Sequence, residues 1–590
     1  MCRIAGLIAP DMPAEILRQK LALMCDVQKH GGPDDDGIFV DQSLGLAFGH
    51  RRLAIIDLST NGHQPMSDTA GRAYITFNGE VYNYRELRDE LKTSGAEFKS
   101  ETDTEVIIQS YLQWGTASFS KLRGIFAFAL FDKAKQTTYL VRDLKGVKPL
   151  YYNATNHSLA FASEVRAFNA AALGIDEDAD WPVRFLAFGN IPEPFTTLQN
   201  VYSLPKGSYL SWNHKSSTYS ISHYHISLIS TLITGKTEAQ TAINKTFSEA
   251  IKRQLIADAP IGVFLSGGID SSLITLLANQ HEHAQLNTVS IHFDEQAYDE
   301  SKYQSFIQDQ VEGKKFNHLV TRADFDKNFA SVLQAMDMPT VDGINTWFIS
   351  HLARKDGLKA VLSGIGSDEL FGGYPSFKRI KYIGYLRSLP SVALNTIAAS
   401  NNRFKKLTYL KYKHYLADYL FLRGIFSVEE IADLTGRDAR EVAAILFDNV
   451  PDIRLGDYGA WQASWLEINV YMQNQLLRDT DVMGMSQGLE IRVPFLDEEF
   501  CNIADNIAAG IRFQQKQLLI NSFPALLSEQ IWNRPKMGFT FPLQQWLKQS
   551  AVTDKAAYQS NTGKEIRDQF INDRLHWSKA FALYQVRQYV

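Results

Sequence analysis

Ile261-Gly-Val-Phe-Leu265 runs directly into Ser266-Gly-Gly-Ile-Asp-Ser-Ser272 and then into Leu273-Ile-Thr-Leu-Leu-Ala-Asn279. The first five residues are an apolar run of strand type, the next seven a glycine- and serine-rich turn, and the last seven the start of a helix. The same order returns at Lys359-Ala-Val-Leu362, Ser363-Gly-Ile-Gly-Ser367 and Asp368-Glu-Leu-Phe371. Repeated strand–loop–helix units predict a parallel α/β sheet with its site at the carboxyl ends of the strands. The small residues let backbone N–H groups approach an anion, and the helix N-terminus adds favourable partial charge. The lysine of a GxxxxGK[ST] loop is absent, so γ-phosphoryl transfer of that type is not expected. A Gly-Gly turn alone says little; the complete seven-residue run after a strand says much more.

Upstream the text changes. Leu44-Gly-Leu-Ala-Phe, Ala73-Tyr-Ile-Thr-Phe, Phe126-Ala-Phe-Ala-Leu-Phe and Thr138-Tyr-Leu-Val read as short strands, with helical periodicity at Tyr84 to Lys92 and Glu105 to Trp114. Strands interleaved with a few helices predict layered sheets covered by helices. Residues 213–237 are dominated by Ser, Thr and His and are expected to be a linker between domains at 2–212 and 238–590; past residue 380 the chain reads as mostly helical. A length of 590 residues exceeds one core, and 45% hydrophobic against 21% charged residues is ordinary globular composition. A net charge of −5 gives no reason to expect nucleic acid as a partner. Cys2, Cys25 and Cys501 are too scattered for a disulfide framework or zinc cluster. No apolar run approaches the roughly 20 residues that span a bilayer. Ile4 to Pro10 is too short for an export signal, so a cytoplasmic location is expected.

Cys2 follows the initiator methionine, and trimming Met1 would give it a free α-amine beside its thiol. That amine titrates near ~7.7–8.0 and can serve as general base. By itself a cysteine at position 2 is more often accidental. Three downstream features change that reading. Arg52, in His50-Arg-Arg-Leu, offers a guanidinium able to clamp a carboxylate, though a lone arginine is usually a solvated charge. Asn78-Gly79-Glu80 follows the strand Tyr74-Ile-Thr-Phe. The Asn78 amide and the Gly79 N–H are two donors for an oxyanion, and Glu80 could hold an ammonium; a plain Asn-Gly turn is the bland alternative. Asp103, in Glu101-Thr-Asp-Thr-Glu, is a second carboxylate for that ammonium, or only a cap on the following helix.

With Gly32-Pro-Asp-Asp, Leu122-Arg-Gly-Ile-Phe-Ala-Phe-Ala, Arg142-Asp-Leu-Lys-Gly-Val-Lys-Pro-Leu-Tyr-Tyr and Phe161-Ala-Ser-Glu, these residues resemble the class II glutamine amidotransferases across the whole first domain. The resemblance implies an N-terminal-nucleophile αββα fold in which Cys2 attacks the glutamine amide. It implies that Arg52 binds the α-carboxylate, Asn78 and Gly79 form the oxyanion hole, and Glu80 and Asp103 hold the ammonium. Two departures stand out. Arg3 occupies the position after the nucleophile, where the family usually has a small residue, and the family's His-Arg-Gly-Pro-Asp reads His30-Gly31-Gly32-Pro33-Asp34.

The Ser266–Ser272 loop resembles that of ATP pyrophosphatases. Together with Leu476-Leu-Arg-Asp-Thr-Asp-Val-Met-Gly-Met and Leu489-Glu-Ile-Arg-Val-Pro-Phe-Leu-Asp, the second half resembles the asparagine synthetase family. The resemblance implies ATP and Mg2+, with Leu265, Ser266, Gly267, Gly268, Asp270, Ser271, Ser272, Ile291, Ser363 and Gly364 against the nucleotide. It implies Asp270 and Asp368 on the metal, and Lys536, in Arg534-Pro-Lys-Met-Gly-Phe, beside the acyl-adenylate. Taken alone, Asp368-Glu369 would be an acidic pair at a helix start and Lys536 a solvated charge. The family also implies a homodimer.

The acceptor is the open point. Family members that use aspartate carry Glu in the middle of Ser-Gly-Glu-Gly-Ser-Asp, whereas this chain has Ile365, and Met338 to Thr346 lacks the arginine they place there. Loss of polar partners redirects specificity strongly, although Asp342 or Asn345 could replace them. Three readings remain: amidation of aspartate, amidation of another carboxylate such as a uronic-acid sugar, and a β-lactam-synthetase-like cyclisation. The last needs no glutaminase, which this chain retains.

Overall fold

The computed structural model describes residues 2–224, 231–282, 286–400, 402–448, 450–453, 455–456, 458–534, 537–555, 558 and 560–588. Two antiparallel six-stranded sheets stack in the first half. One has the order Tyr202–Ser203, Tyr151–Ala154, Leu159–Ala162, Arg3–Ile8, Leu46–Arg52, Asp35–Asp41. The other has Thr218–His223, Ser208–Asn213, Thr137–Arg142, Gly124–Asp132, Ala73–Val81, Met66–Ser67. Alternation along the strands gives each sheet two apolar faces. The inner faces meet in a cluster containing Ile4, Phe48, Ala129, Phe161 and Trp212. The outer face of the second sheet is covered by helices Tyr84–Thr93 and Asp103–Trp114, and that of the first by Ala14–Asp26. This is the layered αββα arrangement.

Two local readings change. Thr218–His223, inside the expected linker, pairs with Ser208–Asn213 as an edge strand. Its Ser/Thr-rich residues face solvent at a sheet edge, so they carry no apolar face by which to recognise a strand. Asn78, Gly79 and Glu80 do not follow their strand but belong to it, because Gly124–Asp132 pairs with it as far as Val81.

The second half holds the expected parallel sheet, in the order Lys315–Leu319, Asn287–His292, Ile261–Phe264, Ala360–Leu362, Glu490–Arg492. Helices dominate beyond it. The two halves share a core, since Leu53, Ile55, Tyr82, Ile125 and Val147 cluster with Val263, Leu265, Leu362 and Phe495. A π-helical segment, Glu467–Leu477, carries polar contacts across the seam. Its Asn469 Oδ1 accepts from Lys206 at 2.8 Å, its Asn474 Oδ1 accepts from the Glu193 N–H at 2.9 Å, and its Gln473 donates to the Gly146 carbonyl at 3.2 Å. No helix among the described residues is long and apolar enough to cross a membrane.

Candidate active site

Cys2 sits at the start of the central strand Arg3–Ile8, with its Sγ 4.0 Å from the Leu53 carbonyl. Burial pushes its thiol up to about 11, so attack near neutrality needs a base. Its main-chain nitrogen, the future α-amine, donates to Asn78 Oδ1 at 3.2 Å. The other end of that amide, Asn78 Nδ2, is buried and has no partner among the described residues. A donor left unpaired beside a buried thiol calls for an explanation, and an oxyanion would satisfy it. Gly79 has φ +155°, and a Cβ there would lie 2.3 Å from the Ile125 carbonyl oxygen, so no side chain fits.

Three further predicted residues surround this point, each already engaged. Arg52 donates to the Ser59 carbonyl at 2.8 Å and to that of Asp57, holding the loop before Gly62. An open groove of about 490 Å3 borders that loop, lined in part by Leu58, Lys99, Glu101 and Asp258. Asp103 Oδ2 accepts from the Val81 N–H at 3.0 Å, while burial raises its carboxyl to about 6. The helix cap is Thr102, whose side chain accepts from the Glu105 N–H. Glu80 lies 3.6 Å from Arg492 of the second half, and burial first, then Glu490, lifts its carboxyl well above the usual range.

The two departures from the family pattern turn out to be neighbours. Arg3 is 0% exposed; its Nε meets Glu164 and its NH1 meets Asp481, each at 2.7 Å. Lys148 also reaches Asp481 at 2.7 Å, and His30 reaches Glu164 at 2.8 Å. A Cβ on Gly31 would lie 2.7 Å from Arg3 Cγ. Gly31 therefore leaves the volume that the Arg3 stem fills, and Arg3 spans both halves beside the nucleophile.

At the sheet's carboxyl end, the Ser266 and Ser271 hydroxyls lie 3.0 Å apart, and Ser271 Oγ also accepts from the Ser266 N–H at 3.2 Å. Gly267 has φ +78°, and a Cβ there would press on Tyr303 at 2.8 Å. Ser272 is buried in the helix start, with an Oγ that has no partner among the described residues. Gly364 packs on Asp270, where an added Cβ would lie 3.0 Å from its Cβ. Ser363 leaves the neighbouring strand half-buried. Leu265 and Ile291, which end and line the strands beside the loop, are buried, at 1% and 2% exposed. Lys536 lies outside the described residues.

Asp270 and Asp368 converge on Lys516, whose Nζ lies 2.5 Å from a carboxylate oxygen of each. Gln515 and Lys516 both have positive φ, 50° and 67°, a strained conformation of the kind found at functional positions. Two carboxylates within reach of one cation are hard oxygen ligands that suit Mg2+. Incoming phosphate oxygens would give the Lys516 ammonium another partner. Arg534 donates to the Gly267 carbonyl at 3.0 Å and pairs with Glu300 at 2.8 Å, fixing the loop from below. No motif marks Lys516 in the sequence, and Arg534 stands out only as the first residue of the segment that carries Lys536.

Toward the acceptor, Ile365 packs half-buried against the shared core. Asn345 is committed, its amide donating to the Phe539 carbonyl at 2.9 Å and accepting from the Thr346 N–H. Asp342 is half-buried and uses one oxygen on the Gly343 N–H at 2.8 Å. Burial raises its carboxyl, and it in turn helps to raise the buried Asp479, whose value is about 7.

The comparisons with known proteins agree with this division. A glutamine amidotransferase domain model matches residues 1–225, and an asparagine synthase model matches 242–577, more than half of the chain. The chain belongs to the asparagine synthetase family. Asparagine synthetase [glutamine-hydrolyzing] 1 of Bacillus subtilis is 30% identical over 93% of this chain and 88% of its own length. A putative asparagine synthetase of Mycobacterium tuberculosis is 29% identical over 91% and 86%. Amidase chry2 of Gibberella zeae is 26% identical over 90% and 86%. Among solved structures, glutamine phosphoribosylpyrophosphate amidotransferase from B. subtilis gives a TM-score of 0.30 at 14% identity, over 64% of this chain and 83% of that one.

Proposed function

We propose that this chain is a glutamine-dependent asparagine synthase: it hydrolyses glutamine at Cys2 and transfers the ammonia to aspartate activated by ATP. The observation that carries the reading is the pairing, in one chain with a shared core, of a buried Cys2–Asn78 pair with the Asp270–Lys516–Asp368 cluster at a phosphate-type loop. With Met1 removed, the Cys2 amine takes the thiol proton and the sulfur attacks the glutamine amide carbon. Asn78 Nδ2 and the Gly79 N–H receive the oxyanion, ammonia leaves, and water releases glutamate. Arg52 takes the α-carboxylate, and Glu80 and Asp103 the ammonium.

At the second centre an aspartate carboxylate oxygen attacks the α-phosphorus and pyrophosphate departs. Ammonia then attacks the acyl carbon, losing a proton as AMP leaves with the C–O electron pair. Asp270 and Asp368 would hold Mg2+, which offsets the charge of the departing pyrophosphate. Lys516 and the Ser266–Ser272 loop bind the phosphates, Leu265, Ile291, Ser363 and Gly364 lie along the nucleotide, and Lys536 stabilises the adenylate. Asp342 substitutes for the carboxylate missing at Ile365 by receiving the aspartate ammonium, since it keeps one oxygen outside its turn. Ammonia must cross the seam without meeting bulk water. We also infer a first domain that runs through the edge strand Thr218–His223, a second over 238–590, a cytoplasmic location and a homodimer.

The test is a panel of carboxylates assayed for AMP, with Cys2→Ala as control. Aspartate should support AMP and asparagine formation. Cys2→Ala should abolish glutamate release while free ammonia still sustains asparagine synthesis. AMP formed with other carboxylates but not with aspartate would overturn the choice of acceptor.

A further inference from the structure

Arg492 touches both centres. Its side chain is 0% exposed, with Nε on Glu490 at 2.5 Å and NH1 donating to the carbonyls of Gln254 and Ile256 at 2.6 and 2.7 Å. Those carbonyls end the helix Lys236–Gln254 and lead into Ile261–Phe264, the strand before Ser266. On the way, the Asp258 N–H donates to the Ile55 carbonyl at 2.9 Å, beside the loop that Arg52 holds. The main chain of Arg492 pairs with Leu362, and its carbonyl accepts from the Ser363 N–H at 2.8 Å. One residue thus grips the entry to one nucleotide loop through its side chain and the first amide of the other through its backbone.

The remaining arm of the guanidinium points the other way. NH2 lies 3.6 Å from Glu80 Oε1, and neither NH2 nor Glu80 Oε2 has a hydrogen-bond partner among the described residues. A buried guanidinium arm and a buried carboxyl that face each other without closing a hydrogen bond are uncommon in a folded protein. A pair built only to hold two domains together would be expected to close, as Arg492 does with Glu490.

We propose that Arg492 is a positioning residue that couples the glutamine site to the nucleotide loops, an inference that rests on the reading of Glu80 as a glutamine-site carboxylate. When the substrate ammonium arrives, Glu80 gains a second cation and its hold on the NH2 arm weakens. Arg492 is then held by Glu490 and by the carbonyls of Gln254 and Ile256 alone, its NH2 arm leaves Glu80, and the Ser363 amide follows its backbone. Linkage makes the effect reciprocal: bound nucleotide changes glutamine affinity by the same factor that glutamine changes nucleotide affinity.

The experiment is calorimetry on the full-length Cys2→Ala chain, which should bind glutamine without consuming it. A nonhydrolysable ATP analogue is titrated with and without saturating glutamine, and glutamine with and without the analogue. The expected shift in either dissociation constant is about fivefold or more, equal in both directions. Replacing the pair with Arg492→Met and Glu490→Met removes both members of the closed ion pair at similar volume, so that neither is left without the other. The shift should then fall to within about twofold with the thermal midpoint little changed. If that variant does not fold, Arg492→Lys on the same background, which keeps a buried cation for Glu490 and leaves Glu80 to glutamine, is read for the same loss of coupling. Failure of the Cys2→Ala chain to bind glutamine overturns the glutamine-site reading and the coupling with it. Glutamine binding with no shift, or a folded variant that keeps the shift, overturns the coupling alone.

Discussion

Gly31→Ala is a small change with a large expected consequence, because the space it needs is occupied by Arg3. The new Cβ would sit 2.7 Å from Arg3 Cγ and 3.0 Å from its Nε. Gly31 lies in a short helical turn and its φ is not positive, so alanine meets no backbone penalty there. Arg3 cannot withdraw, since its Nε and NH1 are each held at 2.7 Å by buried carboxylates. Overpacking of this kind costs about 1–3 kcal/mol. Arg3→Ala alone leaves Asp481 to Lys148 and Glu164 to His30 and Arg166, and breaking a buried pair costs about 3–5 kcal/mol. In the Arg3→Ala chain the clash is gone, so adding Gly31→Ala should be neutral or stabilise by about 0.4–1 kcal/mol through the unfolded chain. The cycle therefore carries a coupling of about 1–3 kcal/mol. Urea unfolding of the four proteins at neutral pH, followed by tryptophan fluorescence, measures it, and glutamate release shows whether the strain reaches Cys2. Equal costs for Gly31→Ala with and without the Arg3 side chain would refute the claim that Arg3 is what requires glycine at 31.

The same cluster should govern acid stability. Glu164 is held at about 2, against an ordinary 4.5, by His30 and Arg3 in spite of burial. The stabilisation it gives is full above 4.5 and lost as pH falls toward 2, so the stability gap between the native chain and Arg3→Ala should narrow across that window in urea titrations. Glu369 shows the opposite sign, since burial and then Asp368 raise its carboxyl to about 7. Ionising it costs stability as pH rises from 4.5 through 7, so Glu369→Gln should raise the thermal midpoint at pH 8 and leave it unchanged at pH 4.5. Lys516→Met should lower pyrophosphate release by about 10²–10³-fold, the usual loss for one electrostatic stabiliser of a transition state. It should also make the melting temperature more responsive to added Mg2+ than that of the native chain, because Asp270 and Asp368 then face each other without their ammonium.

Contiguity decided what could be read in advance. Ser266–Ser272 and Ser363–Asp368 carry their chemistry in unbroken runs between strand and helix, so the parallel sheet and its phosphate end were legible from spacing alone. Cys2, Asn78 and Asp103 gained meaning only as a set, because each is commonplace singly. Lys516, by contrast, reaches Asp270 across 246 residues of sequence from a stretch without a motif. Arg492 was noticed only as a letter in a matching segment; its importance lies in a loose 3.6 Å approach to Glu80 that no pattern of residue types encodes. Thr218–His223 was missed for the converse reason, since a solvated edge strand needs no apolar alternation. Arg3 and Gly31 are the sharpest case. Read along the chain they are two separate departures that cast doubt on the glutaminase, one adding a charge beside the nucleophile and one removing a charge from a motif. In space they are a single rearrangement, a guanidinium rooted at 3 running through the volume left open at 31, and an arginine restored at 31 alone would have to enter space already filled by the first.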